Sequence, residues 1–473
     1  MRAHHWLACL FSALILTGCA VGPNYHRPQT ELPTQFRGAP PPAGTNWLGE
    51  LRWWDLFQDA ALRDLLSTAL TNNYDVQAAI ARVQQAEAIL VQNRSVFFPQ
   101  LGYLGEVARD KNASPSGSLF PSGGLTTDFY GLAGNASWEL DLWGRIRRLN
   151  QAARAQMFAS IEARRDLQLS VLSQVAQGYF RLLALDAELE IAHRSTNSFG
   201  ESLRIFSERL KQGTVSKLET SAAAAALASA AATVPELERQ IVIQENLVNV
   251  LAGRNPGPVP RTDTLLQHDL LRDIPPGLPS ELLERRPDIR EAEQNLRAAN
   301  AQIGVAVADF FPRLDLTGLF GQASPALSAF TAGGANVWSV AATATGPLFQ
   351  GGRLVGQYRQ ARAVRAEAQF RYQATVLNAL QEVSNDLVSV QKYGEERIQQ
   401  DRAVKAYQVA VQVSRERYIA GRAGYFELLQ EQQLLFPSEN ALVQSEFNQY
   451  LAFIQLYQAL GGGFELNPKS EQP

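Results

Sequence analysis

Almost the whole of this sequence lacks cysteine. The chain has 473 residues and two cysteines, Cys9 and Cys19, both within the first nineteen positions. Beyond residue 19 the sequence therefore excludes a disulfide, a thiolate nucleophile and a zinc site with cysteine ligands. Histidine is also scarce: there are five, and none of them forms a cluster with metal-ligand spacing.

The sequence also lacks a strong net charge and a long apolar run. Its formal charge of −3 argues against a general nucleic-acid binder, which would carry a basic patch. At 46% hydrophobic and 19% charged residues, it is not a disordered chain. No segment reaches the length of about 18 apolar residues that a spanning helix needs. If the chain crosses a membrane, strands in a closed barrel are the remaining means.

The N-terminus predicts a secretory signal over residues 1–18. Arg2 supplies the positive charge, an apolar run follows from Trp6 to Leu16, and Leu16-Thr17-Gly18-Cys19 ends the segment. This ending resembles the lipobox of bacterial lipoproteins, which implies a diacylglycerol and an acyl chain on Cys19 and no other cofactor. Ala20, in place of the aspartate that retains lipoproteins at the inner membrane, favours the outer membrane. A plain signal peptide that contains a cysteine is the alternative.

The remaining chain repeats itself once. Phe97-Phe98-Pro99-Gln100-Leu101 recurs as Phe310-Phe311-Pro312-Arg313-Leu314, and further matches extend along both halves. We therefore predict a lipidated segment over 19–61, a first repeat over 62–253, a linker over 254–279, a second repeat over 280–461 and a tail over 462–473.

Each half is predicted to contain a pair of strands, at about 100–143 and about 313–348. In the first pair, Tyr130, Leu132 and Trp138 fall on one face, and small or polar residues fall on the other. This alternation is typical of a strand with lipid on one side and water on the other, although a soluble hairpin with one buried face has the same pattern. Four strands cannot close a barrel, since the smallest have about eight, so spanning would require an oligomer.

A long helical hairpin is predicted to follow each strand pair, at about 147–252 and about 354–460. The first long helix would reach about 96 Å at 1.5 Å per residue. Its apolar residues form two heptad seams, which favour a neighbour on each side, or alternatively one broad stripe facing a globular core. The second half keeps one such seam, at Leu377, Leu380, Ser384 and Leu387. Gly213 and Gly421 are expected to end the long helices.

Several motifs resemble those of the outer-membrane factor family of TolC-like channels, in its OprM and NodT lipoprotein branch. They are Trp53-Trp54-Asp55-Leu56-Phe57, the segment 282–290 (Leu-Leu-Glu-Arg-Arg-Pro-Asp-Ile-Arg), the segment 298–306 with Phe310-Phe311-Pro312, and Val21-Gly22-Pro23-Asn24-Tyr25 after the lipobox. The resemblance covers nearly all of residues 19–463.

The resemblance implies an α+β membrane protein that assembles as a homotrimer. Each protomer would contribute four strands to a transmembrane β-barrel in the outer membrane, and its long helices to a periplasmic α-helical barrel. The partners implied are a periplasmic adaptor (membrane fusion) protein, an inner-membrane pump of the RND class and outer-membrane lipids, without nucleic acid. The function implied is a passive exit duct for small toxic compounds or antibiotics, with no enzymatic activity. The alternative cargo is protein, as in type I secretion.

The resemblance also carries residues over to the periplasmic tip. Those expected to dock the adaptor are Gly213, Thr214, Val215, Ser216, Gly421, Arg422, Gly424 and Tyr425. The family's usual aspartate and basic residue are replaced here by Gln430 and Gln433, so its aspartate ring is not carried over. Glu427 and Glu431 are the alternative acidic gate, or else merely solvated side chains.

Residues near the strand ends are candidates for membrane-interface anchors. Trp138, Trp143 and Trp338 could belong to an aromatic belt, and Arg145 and Arg353 could reach phospholipid headgroups. Packing within the protein is the other reading of the tryptophans.

Two further classes of protein remain as rivals. An enzyme is disfavoured because the sequence contains no nucleophile motif, phosphate loop or metal-spaced histidines. A structural coiled-coil lipoprotein would leave the strand pairs unexplained.

Overall fold

The computed structural model describes residues 20–39, 56–57, 59–111, 126–261, 264–265, 279–330 and 335–462. The predicted signal, Cys19, Trp53-Trp54-Asp55, Gly333-Gly334, and most of the linker and tail lie outside these residues. The helices are α1 Ala60–Asn72, α2 Tyr74–Ser95, α3 Arg145–Lys211, α4 Lys217–Leu251, α5 Leu282–Arg285, α6 Pro287–Ala308, α7 Leu327–Phe330, α8 Arg353–Ile419 and α9 Tyr425–Ala459. The strands are β1 Gln100–Lys111, β2 Thr126–Leu140, β3 Arg313–Ser324 and β4 Asn336–Thr345. Among the described residues, no helix combines the length and the apolarity needed to cross a membrane.

The chain divides into two compact units. The first comprises the described parts of residues 1–29, 82–161 and 291–372, and the second those of residues 30–81, 162–290 and 373–473. The first unit contains the four strands, and the second contains most of the long helices.

The four strands of the first unit form one antiparallel sheet in the order β1-β2-β3-β4. Leu101 of β1 pairs with Ala136, which pairs with Gly318, which pairs with Val340. Because side chains alternate along a strand, this register places most of the large exposed apolar side chains on one side, which we call the apolar face, although Leu104 and Phe129 lie on the other. The opposite side, the polar face, includes the row Glu139, Asp315 and Thr343. The two predicted strand pairs are present, and all neighbouring strands of the sheet are antiparallel.

Aspartate and glycine form the connection between β2 and α3. Asp141 follows the strand, and its carboxylate accepts hydrogen bonds from the backbone N–H groups of Ile146 and Arg147, both at 2.9 Å. These are among the N–H groups that a helix start leaves without a partner. Gly144 has a positive φ of 79°, which glycine adopts without strain. The strand therefore turns directly into a 67-residue helix.

The core of the second unit forms around the middle of α3. Leu172, Ala176 and Tyr179 of one predicted seam are buried, and so are Val175 and Leu182 of the other. The Phe180 ring stacks on Tyr450 at 4.7 Å between centroids, and it also contacts Phe57 at 5.3 Å. Both seams are thus in contact with other parts of the protein.

The seam predicted on α8 is buried only in part, since Leu387 is buried and Leu380 and Ser384 are half-buried. Leu377 is 61% exposed, whereas Tyr372, Val376, Ala379 and Val383 are nearly fully buried, and Leu387 ends the same row. The predicted row through Leu377 and Leu380 and the buried row through Val376 and Ala379 are offset by one residue, and both have the 3-4 spacing of a helix face. The spacing therefore predicts the period of the buried row but cannot decide between the two rows.

The stretch from Leu62 to Asn93, which lacks glycine and proline, is two helices that meet at Asn73. The Asn73 side-chain oxygen accepts hydrogen bonds from the N–H groups of Asp75 and Val76, at 2.9 and 3.0 Å, and so caps α2. Its amide nitrogen donates to the carbonyl of Leu251, at the end of α4, at 2.9 Å. One buried side chain thus breaks the helix and joins it to the end of another.

We expect Asn73→Ala to destabilise the protein by about 2 kcal/mol, because it removes a helix cap and leaves the carbonyl of the half-buried Leu251 without this donor. Chemical denaturation of the detergent-solubilised protein measures the change. The control is Asn72→Ala, since the Asn72 side chain is exposed. Equal midpoints for the two variants would contradict the bridging role of Asn73.

Candidate functional site

The apolar face of the sheet is exposed over all four strands. Leu101 is 83% exposed, Val340 80% and Trp338 74%. Large apolar side chains that share this face and this exposure are Leu101, Tyr103, Val107, Leu132, Trp138, Phe320, Trp338 and Val340. A continuous apolar patch of this kind marks a surface that contacts a membrane or another protein.

Two of the predicted anchors are engaged within the protein. The Trp143 indole N–H donates to the carbonyl of Pro312 at 2.8 Å, and its ring stacks on Phe311 at 4.6 Å. Arg145 donates two hydrogen bonds to the Glu139 carboxylate, at 2.9 and 2.5 Å, so its charge is already paired. Both residues fix the strand–helix junction: Trp143 follows the packing alternative that the sequence left open, whereas the sequence did not reveal the pairing of Arg145 with Glu139.

The other three anchor candidates keep more solvent access. Trp338 lies on the apolar face and is largely exposed. Trp138 is 38% exposed, and its N–H donates to the carbonyl of Phe97 at 3.0 Å. Arg353 is exposed and donates to the side chains of Gln350 and Gln357. Contact of these side chains with lipid stays a prediction.

The two helical turns predicted at the tip have closely similar geometry. Gly213 and Gly421 each have a φ of 69°, and each donates its N–H to the carbonyl three residues earlier. After the first turn, Ser216 and Glu219 form a reciprocal capping box that begins α4. Gly424 begins α9 without a side-chain cap. Among the predicted docking residues, Gly213, Thr214, Ser216, Gly421, Arg422 and Gly424 are exposed.

Tyr425 requires a correction, because it is 1% exposed and does not form part of the docking surface. Its ring lies 4.0 Å from that of Phe206, and Val215 packs against the same cluster. Within the described chain its hydroxyl has no hydrogen-bond partner, and burial together with Tyr418 raises its pKa to about 12. Tyr425 thus supports the two turns from inside.

The proposed gate residues differ in their surroundings. Glu427 pairs with Arg417 at 3.0 Å, so the charge that the gate hypothesis assigned to Glu427 is compensated locally. Gln430 is exposed and Glu431 is half-buried. Gln433 lines a groove of about 880 Å³ between α3, α4 and α9, whose α4 wall consists largely of alanine. The sequence identified Gln433 and contains the run of small residues from Ser221 to Ala232, but only the fold shows that they line one groove.

A polar cavity of about 460 Å³ lies elsewhere in the second unit. It is lined by Asp166, Asp288, Glu382 and Asp386 around the guanidinium of Arg286. Arg286 lies 2.7 Å from Asp288 and 2.7 Å from Glu382, and it donates to the carbonyl of Ala459 at 2.9 Å. The motif at 282–290 contains Arg286 and Asp288, but only the fold brings the other three carboxylates to them.

One guanidinium cannot neutralise four carboxylates, and the carboxyl pKa values reflect this. Burial and the charge of Asp288 raise the pKa of Asp166 to about 6, against the attraction of Arg286. Burial and the charge of Glu382 raise the pKa of Asp386, also to about 6. Within the described residues, no group of histidine, cysteine or acidic side chains has a geometry that could hold a metal ion.

Comparisons with known proteins agree along nearly the whole chain. A family model described as "Outer membrane efflux protein" matches residues 65–254 and 278–462. The toluene efflux pump outer membrane protein TtgC of Pseudomonas putida is 30% identical, over 97% of this chain and 95% of its own length. The cation efflux system protein CusC of Escherichia coli is 31% identical, over 96% of this chain and 97% of its own.

A solved structure gives the same result for the fold. The Neisseria gonorrhoeae MtrE outer membrane channel, crystallised in its open state, superposes with a TM-score of 0.85. It is 28% identical, and the match covers 94% of this chain and 98% of that one.

The carboxylate cavity predicts an unusual pH dependence of stability. Because the pKa of Asp166 and of Asp386 lies above the ordinary aspartate value, the folded state binds protons more tightly than the unfolded state. Their contribution to stability is therefore complete below about pH 4 and is lost as the pH rises through about 6. We expect Asp166→Asn and Asp386→Asn each to stabilise the protein by about 1 kcal/mol at pH 8, after allowance for partial solvent access.

Thermal unfolding at pH 4.5 and pH 8 measures this effect. The gain should be smaller at pH 4.5, where the folded carboxyls are already neutral. The control Asp401→Asn changes an exposed carboxylate of α8 that pairs with Lys405. An unchanged Tm at pH 8 for both cavity variants would contradict the interpretation.

Proposed function

The chain belongs to the outer membrane efflux protein family, and from this membership we propose that it is the outer-membrane channel through which an efflux system expels small toxic compounds. The observation that carries the proposal is the two-faced sheet, whose large exposed apolar side chains lie mostly on one face while carboxylates and hydroxyls lie on the other. Such a sheet suits lipid outside and an aqueous pore inside. The channel itself performs no chemistry, and a partner protein supplies the energy.

We infer that three copies of the chain close one barrel of twelve strands. In the described chain, β1 and β4 form the two edges of the sheet. An open edge in lipid leaves backbone N–H and C=O groups without partners. Three protomers of four strands each would pair every edge and exceed the minimum of about eight strands.

Matched contacts support an internal tandem duplication. Gly144, Gly213 and Gly253 have positive φ angles, and so do Gly352, Gly421 and Gly461, each 208 residues later. In the first half, Asn73 donates to the carbonyl of Leu251. At the corresponding place in the second half, Arg286 donates to the carbonyl of Ala459. A duplicated unit accounts for this agreement in geometry between different residue types.

The tip and the N-terminus complete the proposal. The exposed turns at Gly213–Ser216 and Gly421–Gly424 would dock a periplasmic adaptor, which joins the channel to an inner-membrane pump of the RND class. Acylation of Cys19 would add a lipid anchor in the outer membrane. Protein secretion is the less favoured cargo, because the relatives named above are described as toluene and cation efflux proteins.

Neighbouring residues of β4 test which face meets lipid. We expect Val340→Arg to abolish membrane-inserted trimers, since an arginine on the lipid side costs about 2–4 kcal/mol per protomer. Ala341→Arg is the matched control, because Ala341 is the next residue, is also exposed and lies on the polar face. Heat-modifiable mobility of the outer-membrane fraction on gels reports the trimer. Loss of trimer in both variants, or in neither, would contradict the assignment of the faces.

Deletion and complementation test the efflux function. Loss of the gene should increase susceptibility to a panel of solvents, dyes and antibiotics, and the wild-type gene should restore resistance. We expect Arg422→Glu, at the exposed second turn, to fail to restore resistance although its trimer level is normal. Unchanged susceptibility to every compound after deletion would refute the efflux proposal, and full rescue by Arg422→Glu would argue against docking at this turn.

A further inference from the structure

We propose that residues 20–27, which we call the strap, are an internal peptide ligand with a dedicated binding site on α3 and α6. We further propose that this site fixes where the acylated residue 19 enters the membrane. The second statement rests on the proposed lipidation of Cys19, whereas the first depends only on contacts within the first unit.

Arg148 of α3 is the centre of the strap site. Its side chain is 4% exposed and donates to the carbonyls of Val21 and Gly22, at 3.1 and 3.2 Å, and to the Asn24 side chain at 3.0 Å. A fourth bond, to Gln151 at 3.0 Å, holds the guanidinium on its own helix. Since a buried guanidinium needs acceptors, Arg148 depends on the strap for most of its partners.

Two residues of α6 hold the rest of the strap. Glu293, 3% exposed, accepts hydrogen bonds from the Tyr25 hydroxyl at 3.1 Å and from Arg27 at 2.5 Å. Asn300, 4% exposed, donates to the carbonyl of Pro23 at 3.0 Å. These hydrogen bonds involve both side chains and backbone of the strap. Placed polar contacts of this kind are typical of a specific binding site rather than of a general apolar groove.

Glycines bring the strap into close contact with α6 and the strand–helix junction. Gly22 has a φ of 89°, and a Cβ atom on it would lie 2.5 Å from the Cα of Gly304. A Cβ on Gly144 would lie 2.6 Å from the Cα of Ala20. The N–H of Val21 also donates to the carbonyl of Trp143 at 3.0 Å. The start of the strap is therefore fixed at the β2–α3 turn.

This position has a consequence for the lipid anchor. Ala20 is held beside Gly144, and residue 19 is joined to it by one Cα–Cα step of about 3.8 Å, so we expect docking of the strap to restrict the position of the acylated residue. If the strap were not docked, the ten residues that precede Thr30 could extend to about 30 Å, and the position of the lipid anchor could vary over that distance. Arg148, Glu293 and Asn300 thus act as positioning residues for the acyl chains, at the end of β2 that leads into α3.

Spin labels on His26→Cys and Gln302→Cys measure the docking directly. Both native side chains are exposed, and acylation would consume the only other thiol of the processed chain. In the full-length trimer, at low label density, we expect one narrow distance distribution. In Gly22→Ala and Arg148→Gln, the distance distribution should gain a broad component from undocked straps. We expect the undocked fraction to rise about tenfold for each buried polar group that loses its partner.

The controls separate local effects from global ones. Gly22→Ala changes only the strap, so a native trimer with a broad distribution supports the proposal even if Arg148→Gln misfolds. Arg362→Gln changes an exposed arginine of the same unit whose described contact is with the ring of Tyr358, and it should leave the distribution narrow. A narrow distribution in a folded Gly22→Ala trimer would overturn the strap site.

A second pair of measurements separates this proposal from the lipidation it builds on. Mass spectrometry of the N-terminal peptide reports the acylation of Cys19. In Cys19→Ser the strap should remain docked, because its contacts begin at Ala20. In nanodiscs, quenching of a fluorophore on His26→Cys by lipids with a nitroxide headgroup should report a single depth of the fluorophore. In the Gly22→Ala variant, the same measurement should report a broad range of depths. An unchanged depth profile in acylated Gly22→Ala would refute anchor positioning and leave lipidation intact.

Discussion

The register of the antiparallel sheet determines what each exposed side chain of the first unit can contact. Leu101, Ala136, Gly318 and Val340 lie in one row only because each strand pairs with its neighbour at one particular offset. A shift of one residue between two strands would turn the apolar positions of one strand to the opposite face. The exposed apolar surface, the polar surface behind it and the proposed pore all require this alignment. The bonds of Trp143 and Arg145 at the strand ends help to hold it.

Features that depend on local chemistry could be predicted from the sequence. Alternation along β2 indicated its two faces, and Gly213 and Gly421 marked the turns, because a left-handed residue at a helix end selects glycine. Properties that arise from tertiary contacts could not be predicted. The break at Asn73 depends on a carbonyl 178 residues away, and the α8 seam has a phase that spacing alone cannot fix. The hydroxyl of Tyr425 is compatible with a surface position, so the sequence did not predict that three aromatic neighbours bury its side chain.

The two units place their buried charges differently. In the first unit, Glu293 accepts bonds from Arg27 and Arg297 and gains a lowered pKa, since these bonds outweigh its burial. In the second unit, Asp166 and Asp386 share one guanidinium with two other carboxylates, and their pKa values rise. A carboxylate that is paired with arginine stays ionised at neutral pH and can hold a segment in place. Carboxylates in excess over their cations repel one another when they are ionised. The strap is thus held by a carboxylate whose charge is compensated by two arginines, whereas the polar cavity keeps more carboxylates than its guanidinium can neutralise.

The pairing of Asn73 with Leu251, and of Arg286 with Ala459, has a consequence for symmetry. The two sites use the same hydrogen bond to close a helix end, but one donor is neutral and the other carries a positive charge with its own carboxylates. In the proposed trimer these sites would occur six times, three of each kind. The backbone could then approach six-fold repetition while the electrostatic potential keeps only three-fold repetition. A charged partner or solute would therefore encounter only three equivalent positions around the axis of the trimer, although the backbone would repeat six times.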